Sequence, residues 1–406
     1  MRTIFLLPNF MLLQKLLKFC IVLAPCVLFG CKHNENEHAI TTLPEKNIKN
    51  IRLSSIIENY RFIPLESEPV EALINDRYGM KTIISDNFIY IVPTGIPSSD
   101  KIYVFSYPEG KFMYCHNKAG RGPGEYITIS DFDVYGNIIY ILNLDKILSY
   151  TYDGKFIRQF DLGIRSSNFR VIDENTFFII SQARLGDSEQ KKIYIVNEQG
   201  DVINSKLEPK QSLRLKKIID PLKLDKNNFF YQLGRSNDLV VYNIKEKSFR
   251  DERLVSQNIL THDEEEKHLL QQGLNQYGLN DYSTLKAIHI TEMIGTNNDL
   301  FFTVRDTKHE AKETNYVMSI TNGKIRHIIE KPYIDDITFT GLLLNTINYA
   351  SSEQYFISFF NPDELKNGIQ NYELDSSGEH YNWMKDIFTK KLREDDNIVL
   401  VEYRFK

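Results

Sequence analysis

From about Asn87 the chain repeats one pattern of apolar and polar positions. NFIYIV with DKIYVFSYPEGKF is followed by NIIYILNLDKILSYTYDGKF, and then by NTFFIISQ with KKIYIVNEQGDV. Weaker copies are NNFFYQL with NDLVVYNIKEKSF, and NDLFFTV with TNYVMSITNGKI. Each phrase is a short apolar run, a polar gap, a second apolar run and a turn rich in Gly, Asp or Asn. That predicts paired strands joined by tight turns. The turn glycines Gly110, Gly154 and Gly200 recur at intervals of 44 and 46 residues, and the Lys245-Glu246-Lys247 turn keeps the interval. A period of this size with four strands per unit predicts the blades of a β-propeller.

Five copies carry a middle hairpin, ending near residues 112, 156, 202, 249 and 325. A sixth blade is expected from YFISFF (Tyr355 to Phe360) and NIVLVEYRF (Asn397 to Phe405). It lacks an outer strand, which the alternating ENYRFIPLES (Glu58 to Ser67) can supply from the N-terminal side. Closing the ring in this way hides two open sheet edges. The expected fold is therefore an all-β, six-bladed β-propeller of four-stranded antiparallel blades, with seven blades as the competing count. Two segments interrupt the repeat, Thr261 to Ser283 and Pro362 to Asp395. Both read as partly helical insertions. Thr261 with Glu264 matches a capping box, and the acids that follow suit the positive end of a helix dipole.

The N-terminus is patterned differently. Lys15 and Lys18 precede an apolar run from Phe19 to Phe29, then Gly30 and Cys31. A basic start, a short apolar core and a small residue before the cut describe a signal peptide over residues 1–30. The run is shorter than the roughly 20 residues a membrane-spanning helix needs. Met11 opens this pattern better than Met1. The ending L-F-G-C resembles the lipobox of bacterial lipoproteins, which implies lipidation at Cys31. Residues 31–50 are polar and aperiodic, as expected of a tether, and 51–406 form the propeller.

The lipobox, the I-P-L-E strand from Ile63, the G-R-G-P-G-E-Y phrase from Gly120 and the D-G-K-F turn from Asp153 occur together. In this the chain resembles the six-bladed β-propeller lipoproteins of Gram-negative anaerobes, over about residues 51–406. The resemblance implies architecture and an envelope location: a lipid anchor, in the outer membrane, facing the periplasm or the cell surface. It implies no settled activity.

In propellers, connections from an outer strand to the next inner strand, and from the second to the third strand, open on one face. GRGPGEY is then the crossing between blades 1 and 2, near the mouth of the central channel. Glycine supplies backbone angles that other residues avoid, and Pro123 fixes its own φ. Arg121 and Glu125 either pin the loop or, for Arg121, meet a polar or anionic ligand with a planar donor fork. The segments 93–100, 182–191 and 305–314 are expected on the same face.

Composition is that of an ordinary globular chain: 406 residues, 42% hydrophobic and 25% charged, with 25 Phe and 23 Tyr favouring strands. The net charge of −5 is small and mixed, which argues against nucleic acid as a partner. No G-x-S-x-G, H-E-x-x-H, C-x-x-C or phosphate-loop motif occurs. Cys115 reads as a small buried hydrophobe. His262 and His268, six apart, fall on different faces of a helix. Asp131 and Asp133 share one side of a strand, where they either bond amides of the next blade or hold Ca²⁺.

The candidate ligand-binding residues are Arg121, Gly122, Gly124, Glu125, Tyr126, Asp131 and Trp383, with Tyr277 and Tyr282 as further apolar contacts. The expected function is a lipid-anchored binding module for a glycan or peptide. The alternatives are a scaffold for another envelope protein and a channel-centred, metal-dependent hydrolase or lyase.

Overall fold

The computed structural model describes residues 39–406, apart from 45–49, 75–78, 94–99, 183–190, 207–220, 273–281, 310–311, 345–348, 373–377 and positions 224, 283 and 391. The signal peptide and Cys31 lie outside the described residues. Six sheets stand in a ring and form a six-bladed β-propeller. Blade 1 runs outward from Met80–Ser85 through Phe88–Pro93 and Lys101–Ser106 to Phe112–Asn117. Blade 2 comprises Asp131–Tyr135, Ile138–Asn143, Lys146–Thr151 and Phe156–Asp161. Blade 3 comprises Ser166–Asp173, Thr176–Ser181, Ile193–Asn197 and Val202–Lys206. In blade 4 the inner strand shrinks to Leu222–Lys223, followed by Asn228–Gln232, Asp238–Asn243 and Ser248–Val255. Blade 5 comprises Ile288–Gly295, Asp299–Asp306, Lys312–Ser319 and Ile325–Glu330.

Blade 6 joins Phe356–Phe360 and Val399–Phe405 to the N-terminal strand Ile57–Pro64, which pairs antiparallel with Val399–Phe405 as the outer strand. The short strand Tyr349–Ser351, which precedes this blade in the chain, pairs in parallel with Met80–Ser85 of blade 1. At the tether, too, the chain is more ordered than its polar composition predicts. Ala39–Thr41 forms a strand on the outer edge of blade 4, and the Thr41 carbonyl accepts from the Ser256 amide at 2.9 Å. The eight-residue outer strand Ser248–Val255 leaves an edge for it to cover.

The strands form because their apolar positions serve two interfaces at once. In Ile138–Asn143, Ile139 and Ile141 pack towards blade 1, while Tyr140 and Leu142 pack towards blade 3. Each seam between neighbouring blades holds a buried apolar cluster of this kind. This two-sided burial explains why the second and third strands read as near-continuous apolar runs.

The seam between blades 6 and 1 contains an electrostatic irregularity. Glu402 is fully buried, no hydrogen bond of good geometry reaches its carboxylate among the described residues, Tyr107 is no more than a weak donor beside it, and the nearest Arg61 nitrogen is 3.9 Å away. Burial pushes its pKa up, against the lowering pull of its neighbours Tyr107 and Arg61. A carboxyl whose folded pKa is raised contributes stability below its unfolded pKa, which is lost as pH rises through the folded value. Glu402→Gln is therefore expected to match the wild type near pH 4. At pH 8 it should gain about 1–3 kcal/mol, the usual cost of an unsatisfied buried polar group. Urea melts at the two pH values check this, and equal stability at pH 8 would count against it.

Candidate functional site

The outer strand of blade 1 leads through residues 118–130 into the inner strand of blade 2, so GRGPGEY is the blade crossing. The loop satisfies itself. Tyr126 N donates to Lys118 O at 3.1 Å, Gly120 N to Tyr126 O at 3.0 Å, and the Glu125 carboxylate accepts from Gly122 N at 2.7 Å. A Cβ at Gly120 would collide with that carboxylate. Gly124 has φ +71°, and a Cβ there would lie 2.7 Å from the Phe156 ring, so both conformation and space require glycine.

Tyr126 is fully buried, its hydroxyl donating to Asp100 O at 2.9 Å. It therefore packs the seam and offers a ligand no surface. His116 lies beneath, edge-on to Tyr150 at 4.5 Å, and burial lowers its pKa to about 4, so it stays neutral at physiological pH. Arg121 is exposed, as are Lys118 and Glu125, and its guanidinium is in no ion pair among the described residues.

Asp131 and Asp133 share one side of their strand, and the spacing matches the next blade. Asp131 Oδ1 accepts from Lys81 Nζ at 2.7 Å, and Oδ2 from Phe169 N at 2.9 Å. Asp133 Oδ2 accepts from Val171 N at 2.7 Å, while Oδ1 lies 3.2 Å from the Arg170 guanidinium. Two carboxylates two residues apart thus clasp two amides two residues apart on the inner strand of blade 3. Each is bonded to a cation as well as an amide, which makes the pair a poor Ca²⁺ site. Among the described residues no group of three His, Cys, Asp or Glu side chains converges on a metal position.

Above this clasp, where the inner strands of blades 1 to 3 reach the loop-rich face, lies a cavity of about 260 Å³. Thr128, Ser130, Ser167 and Gln182 give it hydroxyl and amide groups, and Val92, Pro93 and Ile129 give it an apolar wall. The Lys81–Asp131 pair also lines it. The glycine loop runs straight into its rim at Thr128.

A model for a domain of unknown function, DUF4934, matches residues 39–404. The chain belongs to the DUF4934 family. Its first residue coincides with the edge strand on blade 4, so the family unit includes part of the expected tether. A Bacteroides fragilis protein named for presumed export is similar in structure at TM-score 0.67 and 20% identity, over 90% of this chain and 98% of its own. A DUF4221 family member from Bacteroides vulgatus matches at TM-score 0.42 and 10% identity, over 86% and 97%. The first likeness is one of fold. No curated protein matches the sequence.

The remaining candidates of this DUF4934 chain lie elsewhere in the ring. Trp383 sits on the helix Glu379–Lys390 in the insertion of blade 6, with Phe62, His380 and Phe388 as ring neighbours. It belongs to a different blade from the cavity. Tyr282 donates to Glu265 Oε1 at 2.8 Å and lies 4.1 Å under the Arg235 guanidinium. It fastens the helix His262–Gln272 to blade 4, and the capping box at Thr261 is formed, with Thr261 N donating to Glu264 Oε2 at 2.9 Å. Tyr277 lies outside the described residues. Cys115 is half-buried, its thiol donating to Glu71 O.

Lys81, Ser167 and Gln182 were not legible as site residues. For Lys81 there was a signal: a lysine inside an otherwise apolar strand must find a carboxylate or a solvated opening.

Proposed function

We propose that this chain is an exported, lipid-anchored binding module that captures a small polar ligand, a glycan or peptide fragment, in the cavity at the mouth of blades 1 to 3. The observation that carries the reading is the cavity's lining. Hydroxyl and amide groups face an apolar wall, on a scaffold whose carboxylates are already bonded. That favours binding over a channel-centred hydrolase or lyase, which would need free, convergent carboxylates or a metal. The lipobox ending at Cys31 and the presumed export of the Bacteroides fragilis neighbour support the envelope location. No helix among the described residues is long and apolar enough to cross a membrane.

Arg121 is exposed on the glycine loop that leads to the cavity rim at Thr128, and in this reading its donor fork meets the ligand. Arg121→Ala is expected to change stability by less than about 0.5 kcal/mol, as surface substitutions do. It should weaken a carboxylate-bearing peptide about tenfold, the loss of one charge-assisted hydrogen bond. A thermal-melt screen of residues 32–406 against oligosaccharides, peptides, Ca²⁺, Zn²⁺ and chelator tests both points. A ligand at a hundred times its dissociation constant adds about 2.7 kcal/mol, enough to register. A large drop in the melting temperature of the unliganded variant would make Arg121 a fold residue instead. The scaffold reading has one observation in its favour, the 44% exposure of Trp383 on the blade 6 insertion. A screen without any shift would support it.

A further inference from the structure

The opposite face of the ring, formed by the turns between first and second strands and between third and fourth strands, carries a larger cleft. It lies between blades 5 and 6 and encloses about 530 Å³. Asn298, Ser319, Thr321 and Gln354 line it, and none of their side chains is hydrogen-bonded within the described residues. Two amides and two hydroxyls are thus presented to solvent from three separate turns.

The charges in the cleft are unequal. Arg326, Arg404 and Lys406 line it against Asp299 and Glu58. Arg326 is 2.5 Å from Asp299, a carboxyl that burial pushes up despite this partner. Lys406 Nζ donates to the carbonyls of Ser54 and Ser55 at 3.3 and 2.8 Å. Arg404 and Glu58, 3.2 Å apart, are each about half-exposed, so water screens their pairing and a ligand can displace it. A cleft with one guanidinium whose half-exposed partner can be exchanged, beside unengaged amides and hydroxyls, matches a molecule with several hydroxyls and one carboxylate. Arginine's fork binds the carboxylate in a bidentate manner, and the amides and hydroxyls bond the rest.

We propose that this cleft is a second binding site, for an acidic sugar of the uronic acid class. It is independent of the mouth cavity, being built from other blades on the other face.

Titration calorimetry with D-glucuronate, with D-glucose and inorganic sulfate as comparison probes, tests the inference on residues 32–406. Glucuronate is expected to bind in the millimolar range and both comparison probes at least about tenfold more weakly. Arg404→Gln, at a half-exposed position, should leave the melting temperature unchanged and weaken glucuronate about tenfold. Gln354→Ala should weaken it less. Ser167→Leu, which fills the mouth cavity on the other face, should leave glucuronate binding intact. Absence of glucuronate binding, equal binding of sulfate, indifference to Arg404→Gln or loss in Ser167→Leu would each overturn the inference.

Discussion

A chain beginning at Leu65 is expected to lose the closed ring. Without Ile57–Pro64, the strand Val399–Phe405 loses its partner along one whole edge, from Ile57 opposite Phe405 to Pro64 opposite Val399. Ile57 and Ile63 are buried, and Tyr60 and Phe62 pack against the same cluster that holds Phe388 and Met384. Full burial of one such aliphatic side chain is worth about 1.5–3 kcal/mol. Two of them, two partly buried aromatics and a row of backbone hydrogen bonds together compare with the whole stability of a domain, about 5–15 kcal/mol. The truncated chain should elute as aggregate or expanded species and lose its cooperative melt. A chain beginning at Asn50 keeps the closing strand and should melt cooperatively. If the Leu65 chain were monomeric with an unchanged melt, ring closure by this strand would be wrong.

The second large effect is expected where Asp131 ties blade 2 to Lys81 of blade 1 and to the Phe169 amide of blade 3. Asp131 and Lys81 form an ion pair at 2.7 Å with side chains 3% and 7% exposed. Asp131→Ala removes the carboxylate that neutralises a buried ammonium and also frees the Phe169 amide. Breaking one side of a buried pair costs about 3–5 kcal/mol. Asp133→Ala should cost less, about 1.5–3 kcal/mol, because its Arg170 partner is nearer to solvent and can rehydrate. The double change Lys81→Met with Asp131→Leu should recover most of the Asp131→Ala loss, since a well-packed apolar pair often equals a buried ion pair. Urea unfolding followed by circular dichroism and by the single tryptophan, Trp383, measures all three. Asp131→Ala within about 1 kcal/mol of wild type would show that this carboxylate is not what joins blade 2 to its neighbours.

The parts of the architecture legible in the sequence are those specified locally. The outer strands begin at Phe112, Phe156, Val202, Ser248 and Ile325, within a residue of where the repeat ends its hairpins, because turn glycines and alternating runs act over a few residues. The closing strand was legible for the same reason, as an alternating run left without a partner. Pairings chosen by distant geometry were not. Tyr349–Ser351 joins the inner strand of blade 1 in parallel, and Ala39–Thr41 is a strand only because blade 4 offers it an edge.

The site follows the same division. The position of GRGPGEY and the amide-bonding alternative for Asp131 and Asp133 could be read from spacing. The burial of Tyr126 could not, since it depends on carbonyls contributed by Asp100 and His116. Nor could the partnership of Lys81 with a carboxylate in the next blade, or the approach of Ser167 and Gln182 from a third.

The measurement that tests the central claim most directly is a thermal-melt screen of residues 32–406 and its Ser167→Leu variant, side by side, against oligosaccharides and peptides. Leucine at this position fills the cavity between the inner strands of blades 1 to 3 and leaves both the Lys81–Asp131 pair and the glycine loop in place. The binding-module account expects at least one glycan or peptide to raise the melting temperature of the wild type. It expects no such shift in the variant, with the two unliganded proteins melting alike. An equal shift in both proteins would put the ligand elsewhere, and a shift that requires Ca²⁺ and vanishes with chelator would contradict the account in favour of a metal-centred channel.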